Sequence, residues 1–308
     1  MCLHKKMKPF FSVVIPTYNR SDKLKRAVES VLVQTFTEYE ILVMDDGSTD
    51  DTANVMASFS DSRIVYQWEE NFGGPARPRN RGIEIAKGEW ICFLDADDFW
   101  SEDKLKICHE NINENVDFLY HKLDIVRDIP KRFGRLNVKS WQVHSPVSID
   151  LLLRGNAIAN SSVVVRRSVL EKAGRISEDL KLISAEDYNT WLRVSLLTDR
   201  FNYIAITLGY YSIHGNNIST HNKDNHLYCA ICDIIDLTRD RNNLKLMSAL
   251  MYSKGRISIG MGDYTESRSA FWYSFRLGGL YIKSMSLIFL ALISIKSTGR
   301  MIKEVSDE

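Results

Sequence analysis

Cysteine is scarce and odd in number, with five in 308 residues. Cys2, Cys92 and Cys108 are scattered. Cys229 and Cys232 form a lone C-x-x-C in a helical-looking stretch, with no second ligand pair at the spacing a zinc site needs. No disulfide framework is indicated, and the thiols fit a reducing cytoplasm. Six prolines and 16 glycines are too few for a collagen-like or low-complexity chain. An excess of one charge is also missing. Forty Lys and Arg face 39 Asp and Glu, for a net charge of +1, which argues against a general nucleic-acid binder. Long hydrophobic runs are lacking too. The most apolar stretch, Met285–Ile295, lies between Lys283 and Lys296, and the 12 residues between those charges fall short of the roughly 20 that span a bilayer as a helix. The basic segment Met1–Phe10 has no apolar run and does not read as a secretory signal.

What remains is an ordinary globular composition, 44% hydrophobic and 26% charged, in a chain long enough to bury a large core. The length suggests two domains or one large one. Neutrality conceals an asymmetry. Residues 239–308 hold 11 Lys and Arg against 6 Asp and Glu, whereas the preceding 238 residues hold 29 against 33. The two parts are expected to do different jobs.

The first hundred residues alternate between two periodicities. Phe11–Ile15, Tyr39–Met44, Arg63–Trp68 and Trp90–Asp95 read as strands. Ser21–Val33, with Ser21 as N-cap, Asp50–Phe59 and Pro75–Ala86 read as helices. This alternation predicts an α/β fold with a mostly parallel sheet covered on both faces. Residues from about 121 to 160 have weak periodicity and read as loop. Ser161–Val165 reads as a strand, Ser184–Leu197 as a helix and Phe201–Ile213 as two strands. The chain turns helical from about residue 225.

In such sheets ligands bind beyond the carboxyl ends of the strands. There the chain places Pro16-Thr17-Tyr18-Asn19-Arg20, Asp45-Asp46-Gly47-Ser48 and Asp95-Ala96-Asp97-Asp98, so acidic groups distant in sequence meet at one edge. Asp95 and Asp97, one residue apart, suit a hard cation that also takes diphosphate oxygens, although a bare D-x-D also occurs in surface turns. One carboxylate of Asp45-Asp46 can accept from a base edge or ribose hydroxyl; Ser48, Thr49 and Asp50 also look like helix caps. Arg77, Arg79 and Arg81 open a helix, where anions are favoured. Glu186-Asp187 opens another, either as dipole partners or as a general base. His214 follows a strand, and as a metal ligand it would fold back towards Asp97.

In order along the chain, VVIPTYNR, VMDDGSTDDT, ARPRNRGIEIAKGEWICFLDADD, SAEDYNTWLR and YSIHGNNIS resemble the motifs of the family 2 glycosyltransferases, over roughly residues 10 to 220. The resemblance implies a GT-A fold and inverting transfer from a nucleotide-sugar. It implies a catalytic domain over residues 1–220, with a donor half at about 10–100 and an acceptor half at about 101–220, followed by a helical region over 221–308. Pro16, Thr17 and Tyr18 would line the nucleobase and ribose pocket. Asp46 would bind the base edge, with uracil the expected base. Arg79 would sit near the nucleotide, although Pro78 departs from the family's usual Ala there. Asp95 would contact the ribose. Asp97 and His214 would hold Mn²⁺ or Mg²⁺. Asp187 would be the catalytic base, with Glu186 supporting it.

The implied acceptor is a glycan or lipid-linked oligosaccharide of bacterial surface polysaccharide synthesis, O-antigen or capsule, reached from the cytoplasmic face of the membrane. Lys283, Lys296, Arg300 and Lys303 flank apolar stretches and suit contact with anionic lipid; a packed helical subdomain or a homodimer interface is the alternative. No nucleic-acid partner is expected. A dinucleotide-dependent oxidoreductase is disfavoured because PTYNR stands where G-x-G-x-x-G would be needed. A phosphohydrolase using Asp95 and Asp97, or a non-catalytic sugar-binding scaffold, are the rival readings.

Overall fold

The computed structural model describes residues 8–127, 137–213 and 223–306. Its centre is one eight-stranded sheet. In chain order the strands are β1 (Phe11–Thr17), β2 (Tyr39–Asp45), β3 (Ile64–Trp68), β4 (Trp90–Phe93), β5 (Phe99–Trp100), β6 (Phe118–Arg127), β7 (Val164–Arg166) and β8 (Phe201–Ile213). Their spatial order is β3-β2-β1-β4-β7-β6-β8-β5. The β3-β2-β1-β4 half is wholly parallel. Beyond it β7 runs antiparallel to both β4 and β6, β8 parallel to β6, and β5 antiparallel to β8.

Every residue of β1 and β2 is buried, which is why these strands read as continuous apolar runs. Successive side chains serve opposite faces. Val13, Ile15, Ile41 and Val43 join one core with Leu24 and Val28 of α1 (Ser21–Leu32). Val14, Leu42 and Met44 join the other core with Ile83, which lies on a helix described below. α2 (Thr52–Ala57) is shorter than its sequence pattern. Ser21 is not a capping side chain. The N-cap is Arg20, and the amide of Ser21 donates instead to Asp50 Oδ2 at 3.1 Å, so a carboxylate from the β2–α2 loop caps the neighbouring helix.

α3 (Ala76–Ile85) takes Pro78 in its first turn, where no amide hydrogen is needed. The departure from the family pattern therefore leaves the helix regular. Gly82 of α3 lies against β1: a Cβ there would meet Val14 Cγ1 at 2.5 Å, so only glycine allows this approach. α4 (Lys104–Glu110) follows β5.

The stretch expected to be loop contains most of β6 and α5 (Val147–Arg154). The two strands expected over 201–213 are one 13-residue strand, whose register against β6 shifts on either side of Lys122. After β7 come α6 (Arg167–Lys172) and α7 (Glu186–Ser195). The C-terminal region is helical as expected: α8 (Lys223–Thr238), α9 (Leu244–Gly260), α10 (Tyr264–Leu277) and α11 (Leu280–Ser306). Ile231, Leu250 and Phe271 from these helices share a continuous core with Phe93, Phe118 and Trp191, so the helices pack onto one face of the sheet assembly. Phe271 is fully buried and stacks on Phe289 at 4.9 Å, whereas Trp272 and Tyr273 are exposed. Among the described residues no helix is long and apolar enough to cross a membrane.

Candidate active site

Parallel strands leave their carboxyl ends at one edge, and a cavity of about 1020 Å³ opens there. Pro16, Thr17, Tyr18, Asp46, Arg79, Asp95, Asp97, Glu186 and Asp187 all line it. The structure thus brings together every described residue to which the family resemblance gave a site role, whereas Asp45, Arg77 and Arg81 lie outside the lining. His214 lies outside the described residues.

The loops after β1 and β2, which form one edge of the cavity, are tied to one another through side chains. Asn19, at φ 49°, accepts at Oδ1 from the amides of Thr49 (2.8 Å) and Asp50 (3.2 Å), and its own amide donates to Ser48 Oγ at 2.9 Å. The loop after β1 is thereby locked to the loop after β2. Asp45 and Asp46 have different fates. Asp45 is fully buried and structural: its carboxylate accepts from the Ser48 amide at 2.8 Å and the Tyr66 hydroxyl at 2.6 Å. Asp46 reaches the cavity wall, and its carboxylate accepts from the amides of Phe72 (3.2 Å) and Gly73 (3.3 Å) and from Asn71 Nδ2 (3.3 Å). It therefore also shapes the glycine loop ahead of α3.

Arg79 is buried at the centre of the site. Its Nη1 donates to Glu186 Oε1 at 2.7 Å and its Nη2 to Asp95 Oδ1 at 2.8 Å. Asn160 Nδ2 donates to the same Asp95 oxygen at 2.8 Å. Burial alone would lower the Arg79 pKa, but the two carboxylates outweigh it and hold the guanidinium charged. The other two arginines of this stretch face elsewhere. Arg77 pairs with Glu178 at 3.0 Å and lies over the Phe72 ring, while Arg81 pairs with Glu69 at 2.9 Å. The basic run is therefore not a three-arginine phosphate clamp. One member bridges Asp95 and Glu186, and two fix loops.

Asp98 went unassigned in the sequence, although it is the third acid of DADD. It is buried, accepts from Ser161 Oγ at 2.6 Å and from the Ser212 amide at 2.9 Å. Ser161 Oγ in turn accepts from the Asp95 amide at 3.1 Å. Removal from water pushes the Asp98 carboxyl well above its usual range, and the charges of Asp95 and Asp97 push the same way. Arg26 Nη2 donates to the Asp97 carbonyl and to Ser212 Oγ, both at 2.8 Å. The acidic turn is thus held from β8, from α1 and from the turn before β7.

Asp187 is half-buried at the N-terminus of α7, its carboxylate accepting from the Tyr188 amide at 2.6 Å. Loss of hydration, then the neighbouring Glu186 charge, raise its pKa to about 7, with Arg79 opposing. A carboxylate poised near neutrality suits proton abstraction. Glu186 Oε2, Thr17 Oγ1, Asn160 Oδ1 and Ser184 Oγ are buried polar atoms without a protein partner, and all four residues line this cavity. Such groups are costly to leave unmet, so the cavity suits a ligand rich in hydroxyls and amides.

No three His, Cys, Asp or Glu side chains converge as a metal cage among the described residues. A divalent cation that shares a substrate's diphosphate needs only one or two protein carboxylates. Asp97, at the cavity wall beside Asp95, fits that donor set.

An α/β half ending in an acidic edge, fused through one sheet to a second half with a helix-borne carboxylate, is the nucleotide-sugar transferase architecture of GT-A type. Solved structures agree in fold. S. aureus TarS 1–349 in complex with UDP-GlcNAc matches with TM-score 0.66 and 22% identity, over 90% of this chain and 83% of that one. Mannosyltransferase PcManGT from Pyrobaculum calidifontis, in complex with GDP-Man and Mn²⁺, matches with TM-score 0.60 and 16% identity, over 93% and 81%. The family model Glycosyl transferase family 2 matches residues 12–173, and the chain belongs to that family. Its curated relatives include the UDP-Glc:alpha-D-GlcNAc-diphosphoundecaprenol beta-1,3-glucosyltransferase WfaP of Escherichia coli, 31% identical over 68% of this chain and 79% of the relative. The amylovoran biosynthesis glycosyltransferase AmsB of Erwinia amylovora is 31% identical over 65% and 69%. The protein is a glycosyltransferase.

Proposed function

We propose that this glycosyltransferase moves a sugar, with inversion, from a UDP-sugar to a hydroxyl of a lipid-linked glycan acceptor in bacterial surface polysaccharide synthesis. The observation that carries the reading is the single cavity in which the acidic edge, Arg79 and Asp187 meet. Thr17, Tyr18 and Asp46 hold the uridine, with Pro16 closing the wall. Asp95 is steadied by Arg79 and Asn160 to receive the ribose. Asp97 is the carboxylate that holds Mn²⁺ or Mg²⁺, and such a cation, when bound, neutralises charge on the departing diphosphate.

Asp187 accepts the proton of the attacking hydroxyl. That oxygen forms a bond to the anomeric carbon as the bond from this carbon to the diphosphate oxygen breaks, and UDP leaves with the electron pair. A single displacement inverts the centre, so an α-linked donor gives a β-linked product. Glu186, pinned by Arg79, adds negative charge next to Asp187 and so raises its basicity.

Residues 1–220 carry donor and acceptor halves, and in residues 221–308 the helices α8 to α11 pack on them and present a face to the membrane. On α10 and α11, Trp272, Leu280, Tyr281, Ile288 and Ile295 are exposed. Between Glu266 and Glu304 the sequence has six Lys or Arg and no Asp or Glu. An exposed apolar face with purely basic flanks suits the anionic cytoplasmic leaflet. The names of WfaP and of the TarS complex support a UDP donor, and that of WfaP supports a lipid-diphosphate acceptor.

A donor screen tests the reading. Titration with UDP-, GDP- and dTDP-sugars in the presence of Mn²⁺ should show binding of a UDP-sugar, lost in EDTA, and transfer should give a product of inverted configuration. A phospho-enzyme trapped at Asp95, or preference for another nucleotide, overturns it.

A further inference from the structure

The cavity has a second wall with no counterpart in the sequence motifs. It is built from helices: Leu152 of α5, Leu227 of α8 and Ile257 of α9, with Ile158 beside them. Ser253 of α9 and Asn156 add neutral polar groups to this wall, and its one charged side chain is Arg256 of α9, which lines the same cavity and is half-buried. Arg256 Nη1 donates to the Leu153 carbonyl. Among the described residues no carboxylate pairs with it, in contrast to Arg79, which holds two. A half-buried guanidinium facing a cavity without an acid partner is an anion-binding group.

Its position relative to the proposed base follows from α5. The Tyr188 hydroxyl donates to the Leu151 carbonyl at 2.9 Å, and Arg256 holds the carbonyl two residues on. Tyr188 directly follows Asp187, and the Arg256 charge acts on its hydroxyl. Tyr188, the neighbour of Asp187, and Arg256 are therefore both tied to the last turn of α5, and all three residues line the cavity together with the apolar wall. An acceptor whose hydroxyl faces Asp187 extends its far end along this wall.

We infer that Arg256 and the Leu152–Leu227–Ile257 wall form a subsite for the diphosphate and first isoprene units of a lipid-diphosphate-linked acceptor. The inference rests on the lipid-linked acceptor reading and assigns it to residues of the C-terminal helices. Guanidinium–diphosphate hydrogen bonds fix the acceptor's register, and the apolar wall receives the chain.

Calorimetric titration of UDP-saturated protein with geranyl diphosphate and with geraniol tests it. The diphosphate should bind about tenfold more tightly than the alcohol, the size expected for a charge-assisted contact. Arg256→Gln, which keeps an N–H for the Leu153 carbonyl, should erase the preference, and Arg256→Lys should keep part of it. UDP affinity and the thermal midpoint should be unchanged in both. The inference is overturned if the wild type shows no preference, if the preference survives Arg256→Gln, or if Arg256→Gln weakens UDP equally, which would make Arg256 a donor ligand. Failure of the donor reading gives a different result: UDP does not bind, while the geranyl diphosphate preference still responds to Arg256→Gln.

Discussion

The two walls of the cavity are built in opposite ways. The wall proposed to hold the donor, here the donor wall, consists of strand-end loops held by side chains from distant segments: Asn19 to the β2 loop, Asp46 to the loop before α3, and Asp98 to β8. The opposite wall consists of helix faces, largely apolar, with Arg256 as its charged feature. Loops can present several polar groups to one nucleotide only if their backbones are fixed in advance, and each tie lowers the ordering cost of binding. Helix faces need no such ties, because their backbones are already hydrogen-bonded. The donor wall is therefore specified by particular residues at particular positions, and the other wall by shape and patterning.

The sharpest way to break this contrast is at the carboxylate between the walls. Asp187→Asn keeps shape and removes the proposed base. Transfer should fall by about 10³-fold, in the range lost with a positioned general base, while UDP affinity stays unchanged. Single-turnover rates with saturating donor measure the first, and calorimetry the second. Turnover near the wild-type level would remove Asp187 from the mechanism.

A smaller effect is expected at Arg79, which ties the acidic turn after β4 to the start of α7. Arg79→Ala leaves Asp95 and the buried Glu186 uncompensated, and loss of one partner of such a pair costs about 3 kcal/mol or more. Urea unfolding should show the loss, and Glu186→Gln added to Arg79→Ala should recover part of it, since a neutral amide needs no counter-charge. If the double variant is no more stable than Arg79→Ala, the network is not what holds this region.

The same contrast explains what was legible before the structure. β1, β2 and β4 were readable because both faces are buried and their residues run apolar. The acids at the cavity edge were readable because each follows such a strand. Arg79 was placed correctly at the cavity, but its commitment to Asp95 and Glu186 was invisible, since Glu186 is 107 positions away. Pairing across that distance leaves no periodicity. β6 was hidden because His121, Lys122 and Asp124 interrupt its apolar residues. His121 is buried nonetheless, its pKa lowered to about 3 by burial and then by the Lys104 charge. Asp98 was masked by its neighbours Asp95 and Asp97, although a third acid in the turn was the available signal. Arg256 carried no signal, because a helical arginine far from any motif acquires meaning only when α9 packs on α5.

The raised pKa of Asp187 supplies a prediction whose size follows from titration alone. A base must be ionised, so the transfer rate should fall about tenfold for each pH unit well below 7 and level off above it. The stability effect has the opposite sense. Between the unfolded carboxylate range and about 7, the unfolded chain has released this proton while the folded chain keeps it. Folded stability contributed here therefore declines as pH rises through that window. Asp187→Asn should consequently be at least as stable as the wild type at pH 8 while inactive. A melting comparison at pH 5.5 and 8 checks this. A wild-type rate independent of pH between 5.5 and 8 would show that the carboxylate is already fully ionised, and its environment less excluded from water than its neighbours imply.

The smallest effect is expected farthest from the chemistry, on the exposed face of α10 and α11. The apolar and electrostatic contributions to membrane contact separate with salt, since only the second is screened, over about 8 Å at physiological ionic strength. With anionic vesicles, raising the salt concentration should release a substantial part of the bound protein. The fraction that remains should depend on the exposed side chains, so Tyr281→Ser with Ile288→Ser should lower it further. The double substitution should leave UDP affinity at fixed salt untouched, because the donor wall is anchored by ties that do not involve these helices. Binding to neutral and anionic vesicles alike would assign the face to apolar contact alone. No binding to either, with a concentration-dependent dimer in sedimentation, would show that a second copy of the chain covers it.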